Sequence, residues 1–487
     1  MRPSLESLPS DDSLVEALAS GDAWDLDRPP TTTIRTVLCW IGLLILVSAL
    51  LFLPLAYLSN QLGIGDAYAW IPPTVVFGVW FTWLIGRPLA VLLADRKRSP
   101  EGPVQDRGVS IVVPCSNSAH KMEATVQSLL AQTARPIEIV LVENNSTDDT
   151  WAVLQRLERE HLEVRAFSVS TRRDEYAASV AVNYGVARAS HDIIVRMDDD
   201  TVMEPDTVAR AIPAIVSGRA VAVAVNLRVA NHLASVWTRL QSLEYMLAME
   251  LERRTQVLVQ SLLCASGGLS VFRRDVVLRS GGFCSLPKWV SEDMDMTLKA
   301  HRLGRVAMAP DAIGYTSVPE TLRQLIRQRL RWAICGTVAV YIHREGVANR
   351  RYWHEGTIGF AGLPMRALSG LRDLFAASLP LYLAVSVRHG GLIWLGVLTG
   401  GYLVTLALQI AMISPALRCR QGLAVWWLLP LTVLVYGPLL LAVRFAGTWA
   451  GVRHIFMLRA KQEQLEHAGL FDVDGVELES PVPVPVG

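Results

Sequence analysis

Apolar residues in this chain are gathered rather than spread, concentrating at 36–58, 69–94 and 374–450 and leaving a stretch of ordinary mixed composition between. A run of roughly 20 such residues suffices to cross a bilayer. The blocks account for a hydrophobic content of 51% over 487 residues and a mean hydropathy of +0.31. The alternative for any apolar run is a buried core helix. Two such runs close together, joined by a link at 59–68 without Lys or Arg, favour a membrane hairpin. Arg96, Lys97 and Arg98 follow the second run, so the positive-inside bias puts both ends of the hairpin in the cytoplasm. The pattern predicts a multi-pass membrane protein of the cell membrane, with a cytosolic domain inserted between its transmembrane helices and the lipid bilayer as a partner.

The flanking regions divide accordingly. An acidic tail over 1–33, ending in Pro29-Pro30, reads as disordered and lacks the basic start and short apolar core of a signal peptide. The hairpin covers 34–98 and the mixed domain 108–333. Arginine-rich segments at 334–372 read as amphipathic helices on the inner membrane face. A C-terminal membrane block covers 373–450 and a cytoplasmic tail 451–487, ending in an extended Pro-Val repeat at 481–485. Within that block 391–414 and 423–443 are long enough to span, and 374–387 is short. Arg418, Arg420, Arg453, Arg459 and Lys461 all look cytoplasmic. Three full spans would put the tail outside, so either 374–387 falls short or the last run bends at Gly437-Pro438.

A net charge of +1 gives no field for nucleic acid, and none is expected as a partner. The six cysteines form no CxxC pair and have no histidine at metal spacing, so they read as reduced, buried thiols rather than zinc ligands. No sequence feature assigns an oligomeric state.

Between the membrane blocks, strand-like and helix-like patterns alternate. β-Branched or apolar runs at 109–113, 137–142, 164–169, 193–195, 221–225 and 306–309 are separated by helical patterns at 126–130, 150–159 and 177–189. Alternation with continuous apolar strands predicts an α/β, Rossmann-like, mainly parallel sheet with helices on both faces. Ligands in such sheets bind beyond the carboxyl ends of the strands. Asn117, Glu143 and Asp198 each fall at or just past a strand end, which predicts one shared cleft.

Asp198-Asp199-Asp200 closes the strand at 193–195. Three adjacent carboxylates repel one another unless a cation sits among them, and Mg²⁺ or Mn²⁺ with hard oxygen ligands answers that need. A loop that happens to be acidic is the plain alternative. Glu292-Asp293 opens an amphipathic pattern, where the helix dipole alone would favour acidic residues. The stretch 321–332 is dense in arginine and ends Gln328-Arg329-Leu330-Arg331-Trp332. A headgroup-facing basic helix with an interfacial tryptophan is the competing account of it.

Taken in order, these elements resemble the inverting family 2 glycosyltransferases, in particular the membrane-embedded processive branch of cellulose, chitin, hyaluronan and poly-N-acetylglucosamine synthases. The matching residues are Val113-Pro114-x-x-Asn117, the acidic turn from Glu143 to Asp148, Asn183-x-Gly185, Asp198-x-Asp200, Glu292-Asp293 and Gln328-x-x-Arg331-Trp332. The resemblance covers about 108–333, and the flanking membrane blocks extend it. It implies a GT-A fold that binds a nucleotide-diphosphate sugar, a UDP-sugar above all, and extends a polysaccharide acceptor exported through the protein's own helices. Carried over by residue, Pro114, Asn117 and Gln328 belong to the substrate site and Glu143 contacts the uracil. Asp198 sits near the ribose and diphosphate, and Asp200 holds the metal. Asp293 is the catalytic base, Arg331 meets the diphosphate, and Trp332 faces the acceptor sugar.

The chemistry suits those roles. Displacement at an anomeric carbon needs its leaving diphosphate neutralised. It also needs a base opposite, a contribution of roughly 10²–10⁴ in rate. The sequence departs from the family at Glu143-Asn144-Asn145-Ser146, where Asp-Asp-Gly-Ser is usual, at Ser118 in place of Glu, and at Ala178 in place of Lys. These positions bear on the donor's identity more than on catalysis. Two other readings are a non-processive enzyme adding one sugar to a lipid carrier and a non-enzymatic membrane assembly protein on a degenerate transferase fold. Arg331-Trp332 argues against the first, and the intact carboxylates at 198, 200 and 293 against the second.

Overall fold

The computed structural model describes residues 102–370 apart from 173–174, 286–288 and 355–356, together with 90, 91, 93, 94, 373, 425–428 and 431–467. The expected segments at 1–33, 36–58, 374–387, 391–414 and 481–485, and most of 69–94, lie outside the described residues. Among the described residues no helix is long and apolar enough to cross a membrane.

The domain is built on one eight-stranded sheet. Its strands are β1 (Asp106–Cys115), β2 (Arg135–Asn144), β3 (Val164–Val169), β4 (Ile193–Met197), β5 (Thr201–Met203), β6 (Ala222–Val229), β7 (Leu269–Arg273) and β8 (Val306–Thr316). The principal helices are α1 (Met122–Leu130), α2 (Thr150–Glu160), α3 (Ala177–Arg188), α4 (Val236–Leu247), α5 (Glu292–Leu303), α6 (Leu322–Ile342) and α7 (Gly437–His467). The strand order is β3-β2-β1-β4-β7-β6-β8-β5. The first four strands are parallel neighbours, and β1, β2 and β4 are buried along most of their length, as strands covered by helices on both faces are. Alternate residues of β1 face opposite layers. Val109, Ile111 and Val113 pack with Met122, Val126 and Leu129 of α1 and Leu154 and Leu157 of α2. Val112, with Val140, Val142 and Ile194, packs against Ala181, Val182 and Val186 of α3 and Met296 and Ala300 of α5. Each Val, Leu, Ile or Met among them, fully buried, contributes about 1.5–3 kcal/mol.

The other half corrects the expected mainly parallel sheet. β7 runs antiparallel to both β4 and β6, and β5 antiparallel to β8, so the sheet is mixed and GT-A-like. Hydrophobic periodicity reports which face a residue takes, not strand direction, and β5 and β7 are too short to show a pattern of their own. β8 continues past the expected 309 to Thr316, through an irregularity where Ala309 and Ile313 flank Pro310. Proline has no N–H to donate to the ladder. Its carbonyl accepts instead from Asn226 Nδ2 at 2.8 Å.

Strand direction fixes where the chemistry sits. The chain leaves β1 toward β2 and β3, then returns to β4 on the other side of β1, a topological switch point. Because β7 is antiparallel, it enters where β4 exits. The loop before it therefore meets the acidic cluster, and the Asp198 N–H donates to the Gly268 carbonyl at 3.1 Å.

α6 starts at a capping box, in which Thr321 Oγ1 accepts from the Gln324 N–H and Gln324 Oε1 from the Thr321 N–H. It runs unbroken through 333 to Ile342. α7 lies against it at Gly447 and Gly451. A Cβ at Gly447 would stand 2.5 Å from the Ala333 Cβ, and one at Gly451 2.8 Å from the Thr337 Cβ. The two helices approach as closely as they do because these positions carry no side chain.

Candidate active site

A cavity of about 620 Å³ opens beyond the ends of β4 and β7. It brings together Asp198, Asp200, Asp293, Gln328, Arg331 and Trp332 from the sequence expectation. Pro114, Asn117 and Glu143 lie at the neighbouring ends of β1 and β2 and are not part of that lining.

Asn117 and Glu143 shape their own strand ends. Asn117 takes a positive φ of 50°, and its Oδ1 accepts from the Thr147 N–H at 2.9 Å. Its own N–H donates to Ser146 Oγ at 3.1 Å. Glu143 is buried, with Oε1 accepting from the Ser146 N–H and Oε2 from the Ser168 hydroxyl, each at 2.6 Å. Pro114 is buried within β1 opposite Val142. The Asn183-x-Gly185 element also has a structural use. Asn183 clasps Phe283 in both directions at 2.8 Å. A Cβ at Gly185 would stand 2.4 Å from Val112 Cγ1, so glycine is what lets α3 lie on β1.

The acidic cluster divides three ways. Asp199 turns away from the cavity to Lys121, 2.8 Å from Nζ. Asp200 Oδ1 accepts from the hydroxyls of Thr316 at 3.2 Å and Thr201 at 3.4 Å. Desolvation raises its pKa, against the pull of Lys121 and with repulsion from Asp199. Asp198 is pushed up to about 6 by desolvation, with Arg196 pulling it down and Asp200, Asp199 and Asp293 pushing it further up.

At the start of α5, two adjacent carboxylates are driven apart. Glu292 is raised to about 7 by burial and by Asp293, against the attraction of Arg196. Asp293 is equally subject to burial, which would raise it. Yet the hydroxyl of Ser291, the thiol of Cys264, Arg196 and the Met294 N–H together hold it below the ordinary aspartate range. Its Oδ1 accepts from Ser291 Oγ at 2.6 Å and the Met294 N–H at 2.8 Å, and its Oδ2 from the Gly267 N–H at 3.1 Å. At neutral pH Asp293 is therefore an anion, and an ionised carboxylate retains lone pairs that can accept a proton.

Sequence reasoning passed over the residue that joins these groups. Arg196 is 3% exposed, with Nη1 2.9 Å from Asp198 Oδ1 and Nη2 3.4 Å from Glu292 Oε1. Its signal was in the sequence, as a lone charge inside the apolar strand at 193–197. Gly267 makes room for it, since a Cβ there would stand 2.8 Å from Arg196 Nη1. Tyr176, also missed, lines the cavity with Arg331 and favours its charged form. No pattern around 176 marks it.

α6 presents the remaining groups. Arg331 stays a cation, its pKa raised by Tyr176, Cys335 and Glu292 against the desolvation that would lower it. Gln328 Oε1 is buried without a partner. Trp332 is 43% exposed. The far end of α6 is tied to α5, because His343 Nε2 lies 2.9 Å from Asp295 Oδ1 with both residues buried. Lys299 Nζ holds the other Asp295 oxygen at 2.7 Å.

Among the described residues no group of three or more His, Cys, Asp or Glu is gathered to hold a metal ion. The donor set nonetheless suits a hard cation completed by a ligand's own oxygens. Asp198 and Asp200 share the cavity, and each carries a raised pKa that a divalent cation would relieve.

A mixed GT-A-like sheet with carboxylates and an arginine-tryptophan pair at its switch point defines a sugar-transferring class of domain. Residues 106–335 match the family described as "Glycosyltransferase like family 2", and they form a glycosyltransferase domain of that family. Among curated relatives, the poly-beta-1,6-N-acetyl-D-glucosamine synthase of Staphylococcus aureus (strain COL) is 27% identical over 228 residues, covering 46% of this chain and 54% of that protein. The hyaluronan synthase of Streptococcus pyogenes is 26% identical over 298 residues, covering 59% of this chain and 67% of that one. The chain thus spans about half the length of the first of these relatives. Among solved structures, the mannosyltransferase PcManGT of Pyrobaculum calidifontis, in complex with GDP-Man and Mn²⁺, is 21% identical with a TM-score of 0.49, covering 72% of this chain and 98% of that one.

Proposed function

We propose that this protein is an inverting, metal-dependent transferase that moves a sugar from a UDP-sugar to a growing β-linked polysaccharide and passes the product through its own membrane helices. One observation carries the reading: Asp198, Asp200, Asp293, Arg331 and Trp332, supplied by three separate elements, line a single cavity. The domain family and the polysaccharide products named for the two bacterial relatives support it. The apolar blocks at 36–58, 69–94 and 374–450 support the membrane location, with the catalytic domain facing the cytoplasm.

In this reading Asp200, with Asp198 beside it, holds Mg²⁺ or Mn²⁺, which when bound supplies positive charge to the donor's diphosphate. Arg331 adds a fixed cation to the same leaving group, oriented by Tyr176. Asp293, ionised at neutral pH, takes the proton of the acceptor hydroxyl as its oxygen attacks the anomeric carbon. The bond from that carbon to the diphosphate oxygen breaks, the nucleoside diphosphate leaves, and configuration inverts. Trp332 gives the acceptor ring a flat apolar face. Glu143 and Asn117, beside the cavity at the ends of β1 and β2, are the residues assigned to the nucleotide end of the donor.

The test is to incubate membranes containing the full chain with a panel of UDP-sugars and Mg²⁺ or Mn²⁺, following nucleotide release and product size. Release with one donor and a long polymer is the expected result. A product carrying one sugar on a lipid would replace the processive reading, and no release from any donor would end the transferase reading.

A further inference from the structure

Arg329 lies between Gln328 and Arg331 on α6 yet does not line the cavity. Its side chain is 7% exposed, and its guanidinium carbon stands 4.2 Å from the centre of the Trp332 ring. A guanidinium is planar and stacks on an aromatic face, as an ammonium does not. Arg329 Nη2 also donates to Glu244 Oε2 at 2.8 Å. The same oxygen accepts the Tyr436 hydroxyl at 2.5 Å. Glu244 reaches in from α4, and Tyr436 from the turn just before α7. Tyr436 is 1% exposed and packs with Leu240, Leu243 and Leu325. Trp332, by contrast, is 43% exposed at the cavity. One face of its indole is occupied by Arg329, and the solvent-exposed part is what a ligand can reach.

We propose that Arg329 and Glu244 are positioning residues that fix Trp332 as a rigid platform for the acceptor sugar, and that Tyr436 anchors the platform to the C-terminal segment. The proposal rests on the transferase reading for the acceptor's chemistry, but not for the geometry. Arg329 cannot follow a rotating Trp332 while Glu244 holds its guanidinium, and Glu244 is itself held by Tyr436. A platform set in advance binds its ligand without an ordering cost. Loosening it should therefore weaken acceptor binding and leave the donor's contacts at Asp198, Asp200 and Arg331 intact.

The experiment uses the full chain in membranes and three conservative variants: Arg329→Lys, Glu244→Gln and Tyr436→Phe. Arg329→Lys keeps the charge and removes the stack. We expect an acceptor KM raised about tenfold for a short β-linked oligosaccharide, shorter polymer and an unchanged donor KM. A fall in kcat with both KM values unchanged, or unaltered acceptor KM and product length, would overturn the proposal. A second readout needs no turnover. Oligosaccharide quenching of Trp332 emission is taken as the difference between each protein and the same protein carrying Trp332→Phe. Weaker quenching in Arg329→Lys supports the proposal even if no donor is turned over, an outcome that would sink only the transferase reading. No quenching in the parent chain, or equal quenching in all variants, overturns it.

Discussion

Arg196 lies in β4 and Asp198 just past its end, and the buried guanidinium of the first stands 2.9 Å from the carboxylate of the second. This arginine is the counter-charge that lets Asp198, Glu292 and Asp293 share one cavity. Arg196→Met leaves those carboxylates without it and should lower stability, by less than the full cost of breaking a buried pair because the Asp198 side chain is 40% exposed. Thermal unfolding of the solubilised protein should show the loss, with Arg196→Lys falling between.

Asp293→Asn preserves the shape of the site and removes the proton acceptor. The expected result is a kcat lowered by about 10²–10⁴. Donor affinity, measured by calorimetry with the cation present, should stay within a few-fold of the parent. Unchanged turnover would remove Asp293 from the role of base.

Glu292 gives a pH signature whose sign is fixed. Its folded pKa, about 7, lies above the ordinary glutamate value. The folded protein therefore binds more protons than the unfolded chain between that ordinary value and about 7, and stability falls as pH rises through this window. Glu292→Gln should flatten that part of the profile in denaturant titrations at stepped pH. Glu138 runs the other way. Ser110, Ser190 and Arg165 hold its carboxyl down to about 2 against burial. Its stabilisation is present above the ordinary glutamate value and is lost as pH falls toward about 2.

Chelation should stop nucleotide release, and Mn²⁺ or Mg²⁺ should restore it. Asp200→Asn should raise the cation concentration needed for half-maximal rate, since it removes an anionic oxygen ligand. A chain that turns over normally in excess chelator would exclude the assigned metal role.

Gly447→Ala tests the contact between α6 and α7. Alanine favours a helix over glycine by about 1 kcal/mol. Here its methyl would meet the Ala333 Cβ at 2.5 Å and the Leu330 carbonyl at 3.1 Å. Overpacking of this kind costs about 1–3 kcal/mol, so the net expectation is a lower Tm and reduced acceptor use.

The parallel half of the sheet was legible because β1, β2 and β4 are buried on both faces and read as largely apolar, β-branched runs. The antiparallel β7 was not, since Leu269–Arg273 is five residues long and carries no sign of its direction. The cavity's carboxylates could be gathered from the sequence because they sit where a strand ends or a helix starts, and the arginine-tryptophan pair, in the middle of α6, was recognisable only as part of the ordered motif set. Arg196 was visible as a charge in an apolar strand but went unread. Tyr176 and Glu244 act through partners 155 and 85 residues away in sequence, Arg331 and Arg329, and no local pattern encodes such a pairing. Glu143, assigned to the nucleotide, is found with one oxygen bonded to the Ser146 N–H of the following turn and the other to the Ser168 hydroxyl of β3.

The bond between Asp295 and His343 has a mechanical consequence. Asp295 lies one half-turn beyond Asp293, and His343 closes the helix that carries Trp332, so Asp293 and Trp332 ride on helices joined at one buried pair. On the transferase reading proposed above, a shift of α5 would be felt along α6 through that contact, so the carboxylate and the indole would move together rather than separately.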